Sequence, residues 1–254
     1  MKHTLHKLPQ ITLAFWIMKI CATTLGETGG DLLSMTLNIG YAASTLILIG
    51  VFLATLTTQL IASRYHPFLF WAVILSTSTA GTTMSDYMDR TLGLGYMAGS
   101  LILISILALT LVIWRQVEGT IAIKSIKTRR AEVFYWSAIL FSNTLGTALG
   151  DFLADSSGLG FGGGALLIGS LIALVIAAHF FTHISQTILF WGAFVLTRPL
   201  GATVGDLLTK PHDKGGLDFG TIGSSAVLGI ILLAFILVTH WNEQKRNSVY
   251  AARH

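Results

Sequence analysis

Four stretches decide the reading of this chain: TLGETGGD at 24–31, TAGTTMSD at 79–86, TLGTALGD at 144–151 and PLGATVGD at 199–206. Each ends in an aspartate (Asp31, Asp86, Asp151, Asp206), with glycine five residues before it at Gly26, Gly81, Gly146 and Gly201. A small residue stands one before it, at Gly30, Ser85, Gly150 and Gly205. Fifteen residues before each aspartate is a tryptophan, Trp16, Trp71, Trp136 and Trp191, preceded by Phe15, Phe70, Tyr135 and Phe190. The register is unbroken, so the chain is four copies of one unit. The second half of the unit opens with Gly40-Tyr41, Gly95-Tyr96 and Gly160-Phe161. The fourth copy departs, carrying Asp218-Phe219 after an insertion of about three residues.

The surroundings of these stretches are apolar. Of 254 residues 53% are hydrophobic and 11% charged, against roughly 25% charged in a soluble domain, so a soluble globular protein is excluded. Charged residues are absent between Asp31 and Arg64, Arg90 and Arg115, Asp155 and Arg198, and Asp218 and Glu243. A membrane span takes about 20 apolar residues. Eight helices are expected, near 10–33, 41–62, 68–88, 96–114, 132–154, 161–181, 187–208 and 219–241, in a single membrane domain over 1–254. The repeats run over about 10–63, 64–120, 130–183 and 184–241, with a cytoplasmic connection at 115–131. The opening MKHTLHK imitates a signal peptide, but Lys19 interrupts the apolar run and no small-residue cleavage site follows, so it reads as a retained first span. The one cysteine, Cys21, excludes an intramolecular disulfide framework and Cys-based metal sites.

Positive residues in short loops stay cytoplasmic. Lys2, Lys7, Arg64, Arg115, Lys124, Lys127, Arg129, Arg130, Lys245, Arg246 and Arg253 fall on one side, and Arg90, Lys210 and Lys214 on the other. Both termini are therefore expected in the cytoplasm, in a multi-pass protein of the bacterial inner membrane. The net charge of +4 follows from this bias and gives no reason to invoke nucleic acid. The expected partners are the lipid bilayer and a small ion or small-molecule substrate; no cofactor is expected, and oligomeric state is open.

From about Phe15 to about Trp241 the chain resembles a family of bacterial integral membrane proteins built from four tandem two-span repeats of unknown function, each with a characteristic tryptophan. The resemblance implies architecture and leaves activity open. Two spans per repeat is an even number, so the copies are expected to be parallel, with the odd-numbered helices inside and the even-numbered ones outside. A pseudo-fourfold axis, or a pseudo-twofold relating 1–120 to 130–254, would put the four aspartates at one depth. That depth is about 22 Å along the helix from the tryptophans, toward the outer leaflet.

The glycine and small-residue pairs are expected to let helices approach closely, and the aromatic–tryptophan pairs to form an interfacial belt, or else a wedge or gate. Intramembrane acids are candidate functional sites; the competing reading has them capping short external helices. Stepping back from each aspartate by four and eight residues gives Glu27 and Thr23, Thr82 and Ser78, Thr147 and Asn143, Ala202 and Arg198. The first copy extends its stripe to Lys19, where the others have Ile74, Ile139 and Phe194. These faces describe a hydrophilic cavity. Counting Lys19, Glu27, Asp31, Asp86, Asp151, Arg198 and Asp206, it carries a formal charge of −3.

The function expected is a carrier, rather than an open channel, for a cation. A hard divalent ion would be held by Asp31, Asp86, Asp151 and Asp206 with Glu27, Thr82, Thr147 and Asn143, exchanging with protons. Lys19 and Arg198 would act as internal counter-charges. The alternative is a transporter of a small zwitterionic or cationic organic molecule. Less favoured are a structural or sensory membrane protein, which a dry, filled interior would support, and an intramembrane aspartyl enzyme. The GGD at 29–31 and LGD at 149–151 lack the glycine three residues before the aspartate, and four acids are not a dyad; the chain is not expected to be an enzyme. Among the acids, substitution of Asp206 is expected to do most damage, Asp86 and Asp151 less, and Asp31 least.

Overall fold

The computed structural model describes residues 9–62 and 64–251. Lys2, Lys7 and Arg253 of the orientation argument lie outside the described residues. Among the described residues there is no strand, and eight long helices follow in order. They are α1 Leu13–Asp31, α2 Tyr41–Ile61, α3 Pro67–Asp86, α4 Gly95–Glu118, α5 Arg129–Asp151, α6 Gly160–Phe181, α7 Gln186–Thr209 and α8 Thr221–Ala251. Five of them, α2, α4, α6, α7 and the part of α8 to Asn242, are long and apolar enough to cross a membrane. α1, α3 and α5 carry the serine, threonine and charged residues that the sequence stripe picks out, and these side chains are buried.

The helices close in a ring. α1 packs on α3, α3 on α5, α5 on α7 and α7 back on α1. The second helix of each repeat lies chiefly against the first helix of the next: α2 on α3, α4 on α5, α6 on α7, and α8 on α1. Much of the outer surface of these even helices is bare leucine, isoleucine and valine, as at Leu46, Leu101, Leu166 and Ile230. Such a surface suits lipid and is rarely tolerated on a soluble monomer.

Glycine decides how close the inner helices come, and it does so cyclically. A Cβ on Gly26 would overlap Ser78 of the next repeat, one on Gly81 would press on Asn143, one on Gly146 would overlap Arg198, and one on Gly201 would overlap Thr23. Each repeat thus offers a glycine hole to the residue eight before the next repeat's aspartate, a tighter rule than a generic small-residue stripe.

The opposite end is closed by aromatics, again in cyclic order. Phe15 meets Trp71, Phe70 meets Trp136, Tyr135 meets Trp191 and Phe190 meets Trp16, with centroids 5.7, 5.7, 6.2 and 5.6 Å apart. Trp71, Trp136 and Trp191 are buried, which corrects the belt expectation. A belt residue faces lipid, whereas these rings stack between repeats, as edge and tilted aromatic pairs do in a core.

Two local expectations also change. The connection at 115–131 is largely helical at both ends, because α4 continues to Glu118 and stops at Gly119 with φ of 75°, and α5 starts at Arg129 behind the Thr128 cap. The stretch between is pinned to the bundle: Ile121, Ile123 and Ile126 pack on the core, and Trp191 Nε1 donates to the Ile121 carbonyl at 3.2 Å. In the fourth repeat the counterpart of Gly40, Gly95 and Gly160 is Gly220, all with positive φ, and α8 begins at Thr221. Asp218 instead shares the left-handed position of Asn38, Gly93 and Gly158, one that aspartate and asparagine tolerate better than most residues. The insertion therefore precedes Asp218 and is longer than the sequence suggests.

Candidate functional site

The aspartates end α1, α3 and α5 and lie in the last turn of α7. After Asp31, Asp86 and Asp151 the backbone runs on in helical φ,ψ through a wide turn, at Leu32–Thr36, Tyr87–Thr91 and Phe152–Ser156, and none of the three carboxylates caps it. The capping reading is therefore set aside for these three. All four aspartates are buried.

They are brought together as two pairs, each bridged by one cation. Arg90 forms an ion pair with Asp86 through Nε at 2.9 Å and a hydrogen-bonded one with Asp151 through Nη2 at 3.0 Å. Lys210 Nζ lies 2.7 Å from Asp31 and 3.0 Å from Asp206. Both cations stand four residues after their own repeat's aspartate, one helical turn on, and reach across to the neighbouring repeat. Each bridge joins one half of the chain to the other, so the arrangement is pseudo-twofold at this level. Burial works against the Lys210 ammonium, but the Asp206 and Asp31 carboxylates outweigh it and raise its pKa above the ordinary lysine value. Arg90 is likewise buried in part, and Asp86 and Asp151 hold its pKa above the usual arginine value.

Arg90 and Lys210 are not among the site residues expected from sequence, where they stand only as outer-loop exceptions to the positive-side bias. Their shared spacing of four from an aspartate is the signal that identifies them. With both included, four cations face five carboxylates, and the large negative excess expected of the cavity is nearly gone.

One turn below the aspartates the axis is filled. Arg198 Nη2 lies 2.9 Å from Glu27 Oε2 and donates to Thr147 Oγ1 at 2.6 Å and to Thr82 Oγ1. Thr82 and Thr147 also donate to Glu27 Oε2 at 3.2 and 3.4 Å. The guanidinium further reaches the backbone carbonyls of Thr23 and Ser78, at 3.5 and 3.4 Å. Every repeat thus contributes to one buried knot: Glu27 and Thr23 from the first, Thr82 and Ser78 from the second, Thr147 from the third, Arg198 from the fourth. The polar faces meet side chain to side chain, which corrects the expectation of a hydrophilic cavity at this height. A buried pair of this kind needs its remaining hydrogen bonds met; the threonines supply those at Arg198 Nη2 and Glu27 Oε2, while Arg198 Nε stays without a partner.

Asn143 stands apart from the knot, its amide donating to Thr77 Oγ1 at 3.0 Å. Lys19 is also separate, fully buried two turns below Glu27. Of the four aspartates named as metal ligands, Asp31 and Asp206 come together with Glu27: one carboxylate oxygen from each lies within 4.8 Å of the other two. Asp86 and Asp151 do not join this group. Three acids from two adjacent repeats, with the Thr82 and Thr147 hydroxyls on Glu27, make an all-oxygen donor set suited to a hard cation.

No curated protein and no solved structure matches this chain. The Repeat of Unknown Function (DUF347) matches it four times, over residues 14–65, 69–120, 134–185 and 189–245. Those matches take in most of the sequence and coincide with the four aspartate-bearing units, so the chain belongs to the family built from that repeat.

Proposed function

We propose that this protein is a membrane carrier for a cation, with Glu27, Asp31 and Asp206 as its binding carboxylates and Lys210 as a tethered ammonium that holds the place of the cation between loads. In this reading all eight helices span the inner membrane of a bacterium, and the four repeats enter it parallel, with both termini in the cytoplasm. The glycine register supports the parallel arrangement, since Gly26 and Gly30 meet Ser78 and Thr82 in the same direction along the chain. The side chains of the polar helices are sheltered by apolar neighbours. Arg64, Arg115, Lys127, Arg129 and Arg130 fall at the aromatic end, on the side expected to be cytoplasmic.

The observation that carries the proposal is the meeting of three buried carboxylates, two of them held by one lysine ammonium. A divalent ion entering the three carboxylates competes with Lys210 for Asp31 and Asp206, and with Arg198 for Glu27. Like charges do not share such a site, so binding expels the ammonium toward the outer side and loosens the Arg198 knot. A carrier cycle needs that link between occupancy and the contacts that close the bundle. A second reading, a small organic ammonium as substrate, is favoured by one fact: a primary ammonium already sits 2.7 and 3.0 Å from two of the acids.

The test is isothermal titration of the purified protein with Mn²⁺ and separately with ethylammonium. Saturable Mn²⁺ binding that is lost in both Asp31→Asn and Asp206→Asn is expected. Binding of ethylammonium alone would select the second reading. Wild-type binding in both variants, or none in the wild type, would overturn the carrier.

A further inference from the structure

Lys19 has no place in the cation site, yet it is the least compensated charge in the molecule's described interior. Its side chain is fully buried, and Nζ has no hydrogen-bond partner. What it meets is the face of Phe194, 4.3 Å from the ring centroid. The corresponding residues of the other repeats, Ile74, Ile139 and Phe194, are equally buried and apolar, so the amine lies in a hydrocarbon layer between the aromatic closure and the Arg198–Glu27 knot. An aromatic face contributes about 2 kcal/mol to a desolvated ammonium, short of what an unpaired buried charge costs.

Among the described residues, the elements around it offer no acid at its height. α3 presents Ile74 and has no ionisable group before Asp86; α7 presents Phe194, then Arg198 and Asp206. Across the axis, α5 presents Ile139, with Tyr135 and Glu132 nearer the aromatic end and Asp151 at the far end. α8 covers the outer side of α1, where the Leu228 carbonyl accepts from the Cys21 thiol, and its ionisable His240 is near the aromatic end. On α1 itself the next acid is Glu27, already engaged by Arg198. A nearby charge acting on the amine is Arg198, another cation.

We propose that Lys19 is a proton-binding station of the carrier, loaded and unloaded from the aromatic end, and that one proton is released there for each divalent cation bound at the three carboxylates. The inference rests on the carrier reading. While Glu27 balances Arg198, the field of the guanidinium at Lys19 is offset, and the Nζ lone pair can take a proton from solvent when the aromatic end admits water. When a cation claims Glu27, Arg198 is left uncompensated above the amine, and the proton on Nζ returns to solvent. No other bond changes. Arg198 passes the message between two sites that never touch, one facing each side of the membrane, and the coupling is reciprocal by linkage.

The experiment uses the full chain in detergent, weakly buffered between pH 6.5 and 8.5, and reads both Mn²⁺ affinity by titration and proton release by a soluble pH dye. In the wild type, Mn²⁺ should release about one proton per ion and bind up to about tenfold more tightly per pH unit, the slope for one linked proton. Lys19→Met, of similar length, and Lys19→Gln should both still bind Mn²⁺ while proton release and the pH slope disappear. Proton release undiminished in either variant, or Mn²⁺ binding without proton release in the wild type, would overturn the station and leave the carrier standing. Absence of Mn²⁺ binding in the wild type would overturn both.

Discussion

The Arg90 bridge and the Lys210 bridge occupy equivalent places, four residues past an aspartate and across the same kind of repeat boundary, but they are built differently. Arg90 uses two nitrogens for two carboxylates and a third, Nη1, for the Tyr41 hydroxyl at 3.3 Å. The Tyr41 and Tyr96 rings flank it at 5.9 and 5.8 Å, and Tyr96 is itself tied to Asp155 at 3.3 Å. Lys210 holds both its acids with one nitrogen, with only Met35 Sδ beyond them, at 4.0 Å. In repeat register the places of Tyr41 and Tyr96 are taken by Phe161 and Thr221. A guanidinium so fixed is a permanent fastening, while a compact ammonium on a flexible stem is exchangeable. In the carrier reading the Arg90 boundary stays closed and the Lys210 boundary, where the acid triad lies, is the one that opens.

The hardest blow to this contrast should be Arg90→Gln, which strands Asp86 and Asp151 in the interior. Breaking a buried pair by removing one partner costs about 3–5 kcal/mol, so thermal unfolding should shift sharply downward. Arg90→Lys should recover only part of it; full recovery would show that the two bridges are interchangeable. Next in size is Gly146→Ala, which drives a Cβ into Arg198 and should cost about 1–3 kcal/mol. Gly229→Ala, in open space on α8, should be neutral or slightly stabilising. Equal tolerance would remove the glycine ring as the element holding both bridges in place.

Lys210→Met should act in the opposite sense on ligand binding. With the tethered competitor gone, Mn²⁺ affinity should rise by about tenfold, about 1.4 kcal/mol, and added Mn²⁺ should restore any lost thermal stability. Weaker binding in this variant would make Lys210 a second fastening. The smallest expected effect is that of alkali. The folded-state pKa of Lys210 is raised, so its contribution is complete below the ordinary lysine value of about 10.4 and fades only as pH climbs through the raised one. Stability that changed between pH 7 and 9 in the wild type but not in Lys210→Met would contradict this sign.

The ranking of the acids shifts accordingly. The sequence expectation made Asp31 the most forgiving because Glu27 lies one turn below. With Glu27 held by Arg198, Asp31 and Asp206 are the acids whose loss should weaken binding, and Asp86 and Asp151 those whose loss should weaken the fold.

Architecture was legible because a fourfold repeat makes every column its own control: the tryptophan-to-aspartate spacing located the inner helices, and the apolar even segments identified the outer ones. What escaped was chiefly side-chain reach across repeats. Arg90 and Lys210 lie beyond the expected spans, where hydropathy assigns loops, and without them the cavity is more negative than it is with them. The tryptophans looked interfacial because periodicity gives their height along a helix but not which neighbour they face. Asp218 is easily aligned with the wrong column because two columns only two residues apart, a left-handed residue and a positive-φ glycine, both sit in the loop before the second helix.

The ring also sets an order of events during synthesis. α1 is made first, yet the partners of its charges are made last: Arg198 and Lys210 for Glu27 and Asp31, and α8 to cover its back. Because each second helix leans on the next repeat round the ring, none of the first three repeats is finished when it leaves the ribosome. α1, with its buried charges, must therefore wait, incompletely shielded, until nearly the whole chain has been made. The repeat that looks like a self-sufficient module in sequence is, in biogenesis, only a fraction of an indivisible unit.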